Sequence, residues 1–364
     1  MPNFHFRASR LTMASAIIAP LTCLACGSVA AVAPGTTDSA ATVDSAEVLD
    51  SAADGSMDVT IPDEGMVGDS ETSFPKCGDS TLSPTTGVAR DWTVLPPFAV
   101  GHARTWGTRS DDIWVAGLSE VPMRETFAHW NGSSWKATTV SEGSAIAIWG
   151  RTGDDVWAVG LFSSVYHFDG TTWSPRAWTP IADGHSLNSV WGSADELWVG
   201  ASDDLVLRMK GGAWTPMKTG LGVSWWGMSG TSAADIWVVG DTGAIGHWDG
   251  STWVGVPSCT TEQLNAIYAT SVDDAWAVGA HGTVIRWDGH LWRRALAGVS
   301  DNLASVWASS PKDVWVVGSA GRVLHWNGVA WTDERSPAGD DLHSVWGAGG
   351  QVWTSGSMVT MTAL

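Results

Sequence analysis

Seven times between Trp114 and Trp353 the chain returns to one signal, a Trp at the third place of a short acid-led motif. It reads Asp112-Ile113-Trp114, Asp155-Val156-Trp157, Glu196-Leu197-Trp198, Asp235-Ile236-Trp237, Asp274-Ala275-Trp276 and Asp313-Val314-Trp315, with Gln351-Val352-Trp353 as a degenerate seventh copy. Successive copies are 43, 41, 39, 39, 39 and 38 residues apart. A period of about 40 belongs to propellers and solenoids, because so short a unit cannot bury its own apolar face and must stack on copies of itself.

The strand pattern chooses between them. In one copy Leu303-Ala304-Ser305-Val306-Trp307 is a strand and Ser309-Ser310-Pro311-Lys312 turns. Asp313 to Val317 is the next strand, Gly318 to Gly321 a tight turn, and Arg322 to Trp326 the third strand. Asn327-Gly328 favours the positive φ of a hairpin turn, and Trp331 opens the fourth strand. The same dipeptide type returns at Asn131, Asp169, Asp249 and Asp288. Four short strands per copy with no helical period predict an all-β, seven-bladed β-propeller of four-stranded antiparallel blades. By the repeat, Leu364 falls at the end of the third strand of blade seven, and Trp92 precedes blade one with no strands of its own. Trp92 is therefore expected to complete the last blade and close the ring, which removes an exposed edge.

The repeat resembles the WD-repeat, YVTN and BNR-like propellers, and most of all the Trp-rich "DVWAVG…HWDG…W" repeats of exported bacterial lipoproteins. The resemblance covers residues 92 to 364 and implies a fold only. The sialidase Asp-box is not matched, since Asp249 and Gly250 are adjacent, and the kelch double glycine is missing.

Met1 to Arg10 carries two arginines and no acid, and Leu11 to Ala25 is a mostly apolar run of fifteen. That is too short for a membrane span and suits a secretory signal. Leu24-Ala25-Cys26-Gly27 resembles a bacterial lipoprotein signal, cleaved before Cys26 so that Cys26 is lipidated, although Cys23 stands where Leu is usual. An ordinary cleaved signal peptide is the alternative. Gly27 in place of Asp implies an outer-membrane or cell-surface lipoprotein, with a periplasmic or secreted protein as the alternative. Residues 27 to 75 hold ten acids and no Lys, Arg, His or Trp, so they cannot offset their ordering entropy by burial. The expected organisation is a signal over 1–25, a disordered acidic tether over 26–75, and the propeller over 76–364.

Nineteen Lys and Arg against 38 Asp and Glu leave a net charge of −19, which argues against a nucleic-acid partner. Membrane contact is expected through the lipid anchor only, and the protein is expected to be a monomer. Of the 26 tryptophans, Trp106, Trp149, Trp191, Trp226, Trp307 and Trp346 are expected to end first strands, with Tyr268 in the same register. Further rows fall in the second, third and fourth strands, and Trp178 and Trp225 stand outside the register. A residue repeated once per blade reads as packing between blades, not as a row of sugar platforms.

A base follows the acid at twelve residues: Asp155 and His167, Glu196 and Arg208, Asp235 and His247, Asp274 and Arg286, Asp313 and His325. Blade one has Asp112 and His129, and blade seven loses both members, as Gln351 and Ala363. Loss in tandem predicts direct contact, and six copies around a ring predict structural pairs, not catalytic or metal sites.

Fourth-to-first connections and second-to-third turns are expected to line one mouth of the channel. The longest such turn is Leu118 to Ala128, with Glu120, Arg124 and Glu125. Arg176, Trp178, Asp183, His185, Trp225, Glu262, Arg293, Arg294, Glu334 and Arg335 come from other connections. Of these, Trp178, Trp225, Asp183, His185, Arg176, Arg124, Arg293 and Arg335 form the candidate ligand site, since an exposed Trp beside Arg and Asp suits a carbohydrate or a peptide. Cys77 and Cys259 remain after processing and either pair or stay separate.

A sialidase-like hydrolase needs a free tyrosine nucleophile. Only Tyr166 and Tyr268 exist, the first beside His167 and the second in the Trp register. No Gly-x-Ser-x-Gly, His-Glu-x-x-His or phosphate-loop motif is present, and turns such as Asp203-Asp204 carry no metal-ligand spacing. No catalytic residue, metal or cofactor is assigned. The expected function is non-catalytic binding or scaffolding, with the loop face presented to a protein or polysaccharide. A lectin is one alternative, and a sialidase-like glycoside hydrolase or other propeller enzyme is another.

Overall fold

The computed structural model describes residues 81–87, 90–95, 101–120, 123–140, 144–176, 184–336 and 339–364, with only the backbone of 101–102, 118–120 and 123–124. The signal segment, Cys26, the tether, Cys77, Trp178 and Asp183 lie outside the described residues. So does the side chain of Arg124.

Seven antiparallel sheets follow one another, the first six blades with their own four strands in chain order from channel to rim. Blade five is representative: Leu264–Ser271, Asp274–Gly279, Val284–Trp287 and Trp292–Arg294. Blade six carries a fifth strand, Thr85–Thr86, parallel to Trp331–Asp333. Blade seven supplies Ser344–Ala348, Gln351–Ser355 and Val359–Ala363, and its outer strand is Thr93–Val94, antiparallel with Thr93 opposite Met361. No α-helix occurs among the described residues.

Apolar second strands, fully buried as in Asp235–Gly240 and Asp274–Gly279, form the middle of each blade. Indoles then fill the spaces between blades. The Trp that opens each fourth strand stands edge-on to the second-strand Trp of the preceding blade. Trp135 meets Trp353, Trp173 meets Trp114, Trp214 meets Trp157, Trp253 meets Trp198, Trp292 meets Trp237 and Trp331 meets Trp276, at 5.6–6.5 Å and 77–88°. Trp92 takes the seventh place against Trp315, at 6.5 Å and 85°. Edge-to-face pairs of this kind add about 0.5–1.5 kcal/mol each beyond the area they bury.

Six of the seven blades are also pinned internally. His129, His167, His247 and His325 place Nε2 2.7–2.8 Å from Asp112, Asp155, Asp235 and Asp313. Each imidazole stacks 4.0–4.2 Å from the second-strand Trp of its own blade. Arg208 and Arg286 replace the imidazole in two blades, pairing with Glu196 at 2.5 Å and Asp274 at 2.6 Å. Their guanidinium groups lie 5.0 and 4.9 Å from the Trp198 and Trp276 rings. Burial pushes the Asp112, Asp155 and Asp235 carboxyls up, but hydrogen bonds from the histidines, Thr108, Arg151 and Thr231 outweigh it and hold all three below the usual carboxylate range. Both partners are engaged with each other and with a core indole, which leaves neither placed to serve a ligand.

On the face opposite the loop connections, five of the third-to-fourth turns share one form, while blade three turns through Gly211-Gly212. Asp249 Oδ1 accepts the amides of Ser251 and Thr252 at 2.8 Å each, and these bonds hold its carboxyl down at about 2. Gly250 sits at φ +96°, where a Cβ would meet Ala234. Asn131, Asp169, Asp288 and Asn327 make the same turn.

Two expectations are corrected here. The segment from Leu118 is not a loop: Asp112–Glu120 and Met123–Trp130 run on as one long hairpin, with Leu118 opposite Glu125. The first-strand position of blade four belongs to Ser229, which faces Trp237, and not to Trp226. Hairpin pairing sets that position opposite the second-strand Trp, and Trp226 lies three residues too early.

Candidate functional site

The first strands of all seven blades surround a central cavity of about 340 Å³. Each is an edge strand, so its outward backbone groups need partners from somewhere. Side chains of neighbouring blades supply several. Ser305 and Ser344 hydroxyls accept the amides of Val345 and Thr105 at 3.2 and 3.0 Å. Asn188 and Asn265 side-chain amides donate to the carbonyls of Trp225 and Leu303 at 2.9 and 2.8 Å.

Deeper in the channel, the residue opposite the second-strand Trp is Trp106, Trp149, Trp191, Tyr268, Trp307 or Trp346, and Ser229 in blade four. Tyr268 lies 6.5 Å from Trp307 and 6.3 Å from Trp346, two blades on, so these rings converge and narrow the channel. The next residue along the strand obeys a steric rule. It is glycine at 107, 150, 192, 230 and 347, where the preceding blade carries a Trp, and Ala269 or Ala308 where that blade carries Ser229 or Tyr268. A Cβ on Gly150 would come within 2.6 Å of the Trp106 ring, and one on Gly192 within 2.6 Å of the Trp149 ring. The aromatic constriction is thus built blade by blade, each indole lying on its neighbour's glycine.

Nearer the loop face, two residues before the aromatic, the ring reads Arg104, Ala147, Ser189, Gly227, Ala266, Ser305 and Ser344. Six are small and one is a cation. Arg104 is half-buried, and the residues lining the cavity include no Lys, Asp or Glu among those described. Burial lowers the Arg104 guanidinium to about 10, so it stays charged at neutral pH. The same surroundings push the Tyr268 phenol above its usual range.

Around the mouth, Trp226 lines the channel, remains 36% exposed and donates Nε1 to Asp241 at 2.6 Å. The second-to-third turns of blades two, four, five and six each place two consecutive residues in the left-handed region, Phe162-Ser163, Thr242-Gly243, His281-Gly282 and Ala320-Gly321, as blade three does with Asp203-Asp204. Phe162 is the anomaly, at φ +55° and 80% exposed. A bulky side chain in that conformation is strained and apolar surface in water is unfavourable, and both costs persist mainly where function uses them.

The residues expected to form one ligand site are scattered. Trp225 is fully buried in the core with Trp198 and Met228, because it occupies the place that Leu264 and Leu303 take in their blades; it cannot serve as a platform. Arg293 pairs with Asp288 at 2.7 Å and so belongs to the opposite-face turn, not to the loop face. Arg176 contacts His167 Nδ1 at 3.1 Å, His185 contacts Asp203 at 3.2 Å, and Arg335 donates to the Ala320 carbonyl at 3.3 Å. These lie on blades two, two to three, and six, and do not converge. Arg104, Trp226 and Phe162 were the functional candidates missed. No group of three or more His, Cys, Asp or Glu able to hold a metal occurs among the described residues.

No protein-family model matches the sequence, and no curated protein does either. Solved structures do share the fold. YCF48 bound to a D1 peptide is 15% identical, covers 78% of this chain and 97% of its own, and superposes with a TM-score of 0.60. The WD40 propeller domain of Doa1 is 14% identical over 75% of this chain and 97% of its own, at 0.62. The WD40 repeats of RRP9 are 11% identical over 76% of this chain and 99% of their own, at 0.64.

Proposed function

We propose that this chain is an exported, lipid-anchored, non-catalytic propeller that binds a protein partner through its loop face and channel mouth. The observation that carries this is Phe162, an aromatic held 80% exposed at φ +55° on the loop face. On the opposite face Val329 is as exposed, but it is aliphatic and its backbone is not in the left-handed region. A fold neighbour that is bound to a peptide supports a peptide as the partner's contacting part. Cys259 is disulfide-bonded, its partner lying outside the described residues. Such bonds persist in oxidising compartments, which supports export, and we propose Cys77 as that partner.

Parallel glycan and peptide arrays test the class of ligand. Wild type is expected to bind peptides and no glycan, and Trp226→Ala to weaken peptide binding about tenfold or more, as loss of a buried aromatic anchor does. Saturable glycan binding with no peptide binding would replace this reading with a lectin.

A further inference from the structure

We infer that the outer edge of blade one takes up an extended segment of the protein partner, added in parallel as a fifth strand on Trp135–Thr139. This rests on the protein-binding reading and names a second surface for it. The fold already makes such a contact once. In blade six Thr85–Thr86 lies parallel on Trp331–Asp333, with Thr85 opposite Thr332 and Thr86 opposite Asp333. The Gly87 amide donates to the Asp333 carbonyl at 3.1 Å, and the Thr85 hydroxyl donates to the Trp331 carbonyl at 3.4 Å. Both acceptors face outward, because the next amide along, that of Glu334, donates inward to the Val323 carbonyl at 2.7 Å. In blade one the Val140 amide likewise donates inward, to the Glu125 carbonyl at 2.9 Å. Alternation then turns the amides and carbonyls of Ala137 and Thr139 outward. Among the described residues no strand lies on that edge.

The other outer edges are blunted or short. Two residues after the fourth-strand Trp, where blade six places Asp333 and blade one Ala137, blades two and three place Pro175 and Pro216. Proline has no N–H to offer an added strand. The outer strands of blades four, five and seven are three, three and two residues long, and Leu221 packs over Gly255 in blade four. Blade one instead presents five residues without proline, exposed from Lys136 onward. An edge of that length is normally blocked or covered. Charge then selects the occupant. Lys136 is the one charged side chain on the strand, and it stands where Thr332 faces Thr85 in blade six. An Asp or Glu opposite Lys136 makes a cross-strand ion pair, and β-branched residues after it suit the pleat.

The test uses the full chain in mild detergent and N-terminally labelled decapeptide pools of Ser, Thr and Val around a central Glu or Lys. Fluorescence anisotropy is expected to show the Glu pool binding about two- to fivefold more tightly than the Lys pool. N-methylation two residues after the Glu, at the amide that takes the place of Gly87, is expected to weaken binding about tenfold, and N-methylation one residue after it to have little effect. Ala137→Pro, which copies blades two and three, is expected to weaken the Glu pool about tenfold with an unchanged circular-dichroism spectrum. Lys136→Glu is expected to reverse the preference for Glu over Lys. Should Ala137→Pro fail to fold, the two N-methylated pools on wild type and Lys136→Glu still decide. Equal binding by wild type and folded Ala137→Pro, or of the two N-methylated pools, would overturn the inference while leaving the loop-face reading intact. A wild-type dimer that Ala137→Pro dissociates, with no pool bound, would overturn it in favour of edge pairing between two copies. No binding of any pool would also overturn it, and the arrays above then judge the protein-binding reading separately.

Discussion

Deleting residues 1–95 is expected to destabilise the propeller by at least about 4 kcal/mol and to lower Tm by about 10 °C or more. The segment 82–95 is fastened to three blades. The Leu82 carbonyl accepts the Ala297 amide at 2.8 Å, and Thr85–Thr86 pairs with Thr332–Asp333. Arg90 Nε meets Glu334 at 2.7 Å, Nη1 donates to the Ala363 carbonyl at 2.9 Å, and the guanidinium lies 4.8 Å from the Trp315 ring. Trp92 then occupies the seventh inter-blade position, and Leu95 is buried with Ala103, Ile113 and Trp353. Removing all of this bares the outer edge of Val359–Ala363 to other chains. Trp92→Ala alone is expected to cost about 3 kcal/mol, the usual loss for a packed Trp truncated to Ala. Urea melts of the truncated chain, Trp92→Ala and wild type measure both effects. A truncated chain that melts with wild type would show that the ring does not depend on this segment.

The second large effect is on pH dependence. Glu125 is fully buried on the third strand of blade one, where Oε2 accepts the Ala145 amide of blade two at 2.7 Å. Its Oε1 has no hydrogen-bond partner among the described residues. Burial raises this carboxyl to about 8, against the partial opposition of the Ala145 and Gly117 amides. The folded state therefore holds a proton that the unfolded chain releases above its ordinary value of 4.5. Stability from this group is fully present below 4.5 and is lost as pH rises towards 8. At about 1.4 kcal/mol per pKa unit, the loss across that window is on the order of 5 kcal/mol. Glu125→Gln keeps the shape and removes the titration, so its stability relative to wild type should climb from pH 5 to pH 9. Parallel slopes for the two proteins would show that Glu125 is ionised in the fold.

The indole rows and the acid-base pairs were legible because packing between identical blades imposes the same residue at the same place. The Trp225-Trp226 doublet misled for a related reason. Both were weighed as bulky aromatics, while the register belonged to Ser229, a residue with no aromatic signal. Hairpin length would have found it: Trp106 precedes Trp114 by 8 residues and Tyr268 precedes Trp276 by 8, as Ser229 precedes Trp237, whereas Trp226 precedes it by 11. Once that register is set, the alternation of glycine with Ala269 and Ala308 and the lone Arg104 can both be read from sequence. Phe162 could not. Its strain depends on a turn whose other copies place Thr242, His281 and Ala320 at the same φ, a conformation that no spacing reveals. Arg293 was misplaced because a fourth-strand residue can turn to either face, and its partner Asp288 decides which.

The claim that this propeller works through its loop face is tested most directly by photo-crosslinking from both faces. Phe162 and Val329 are each 80% exposed, the first on the loop face and the second in an opposite-face turn, so they are matched probes. With p-benzoylphenylalanine at either position in growing cells, the account predicts one discrete protein adduct from position 162 and none from position 329. An adduct from position 329 alone would contradict it.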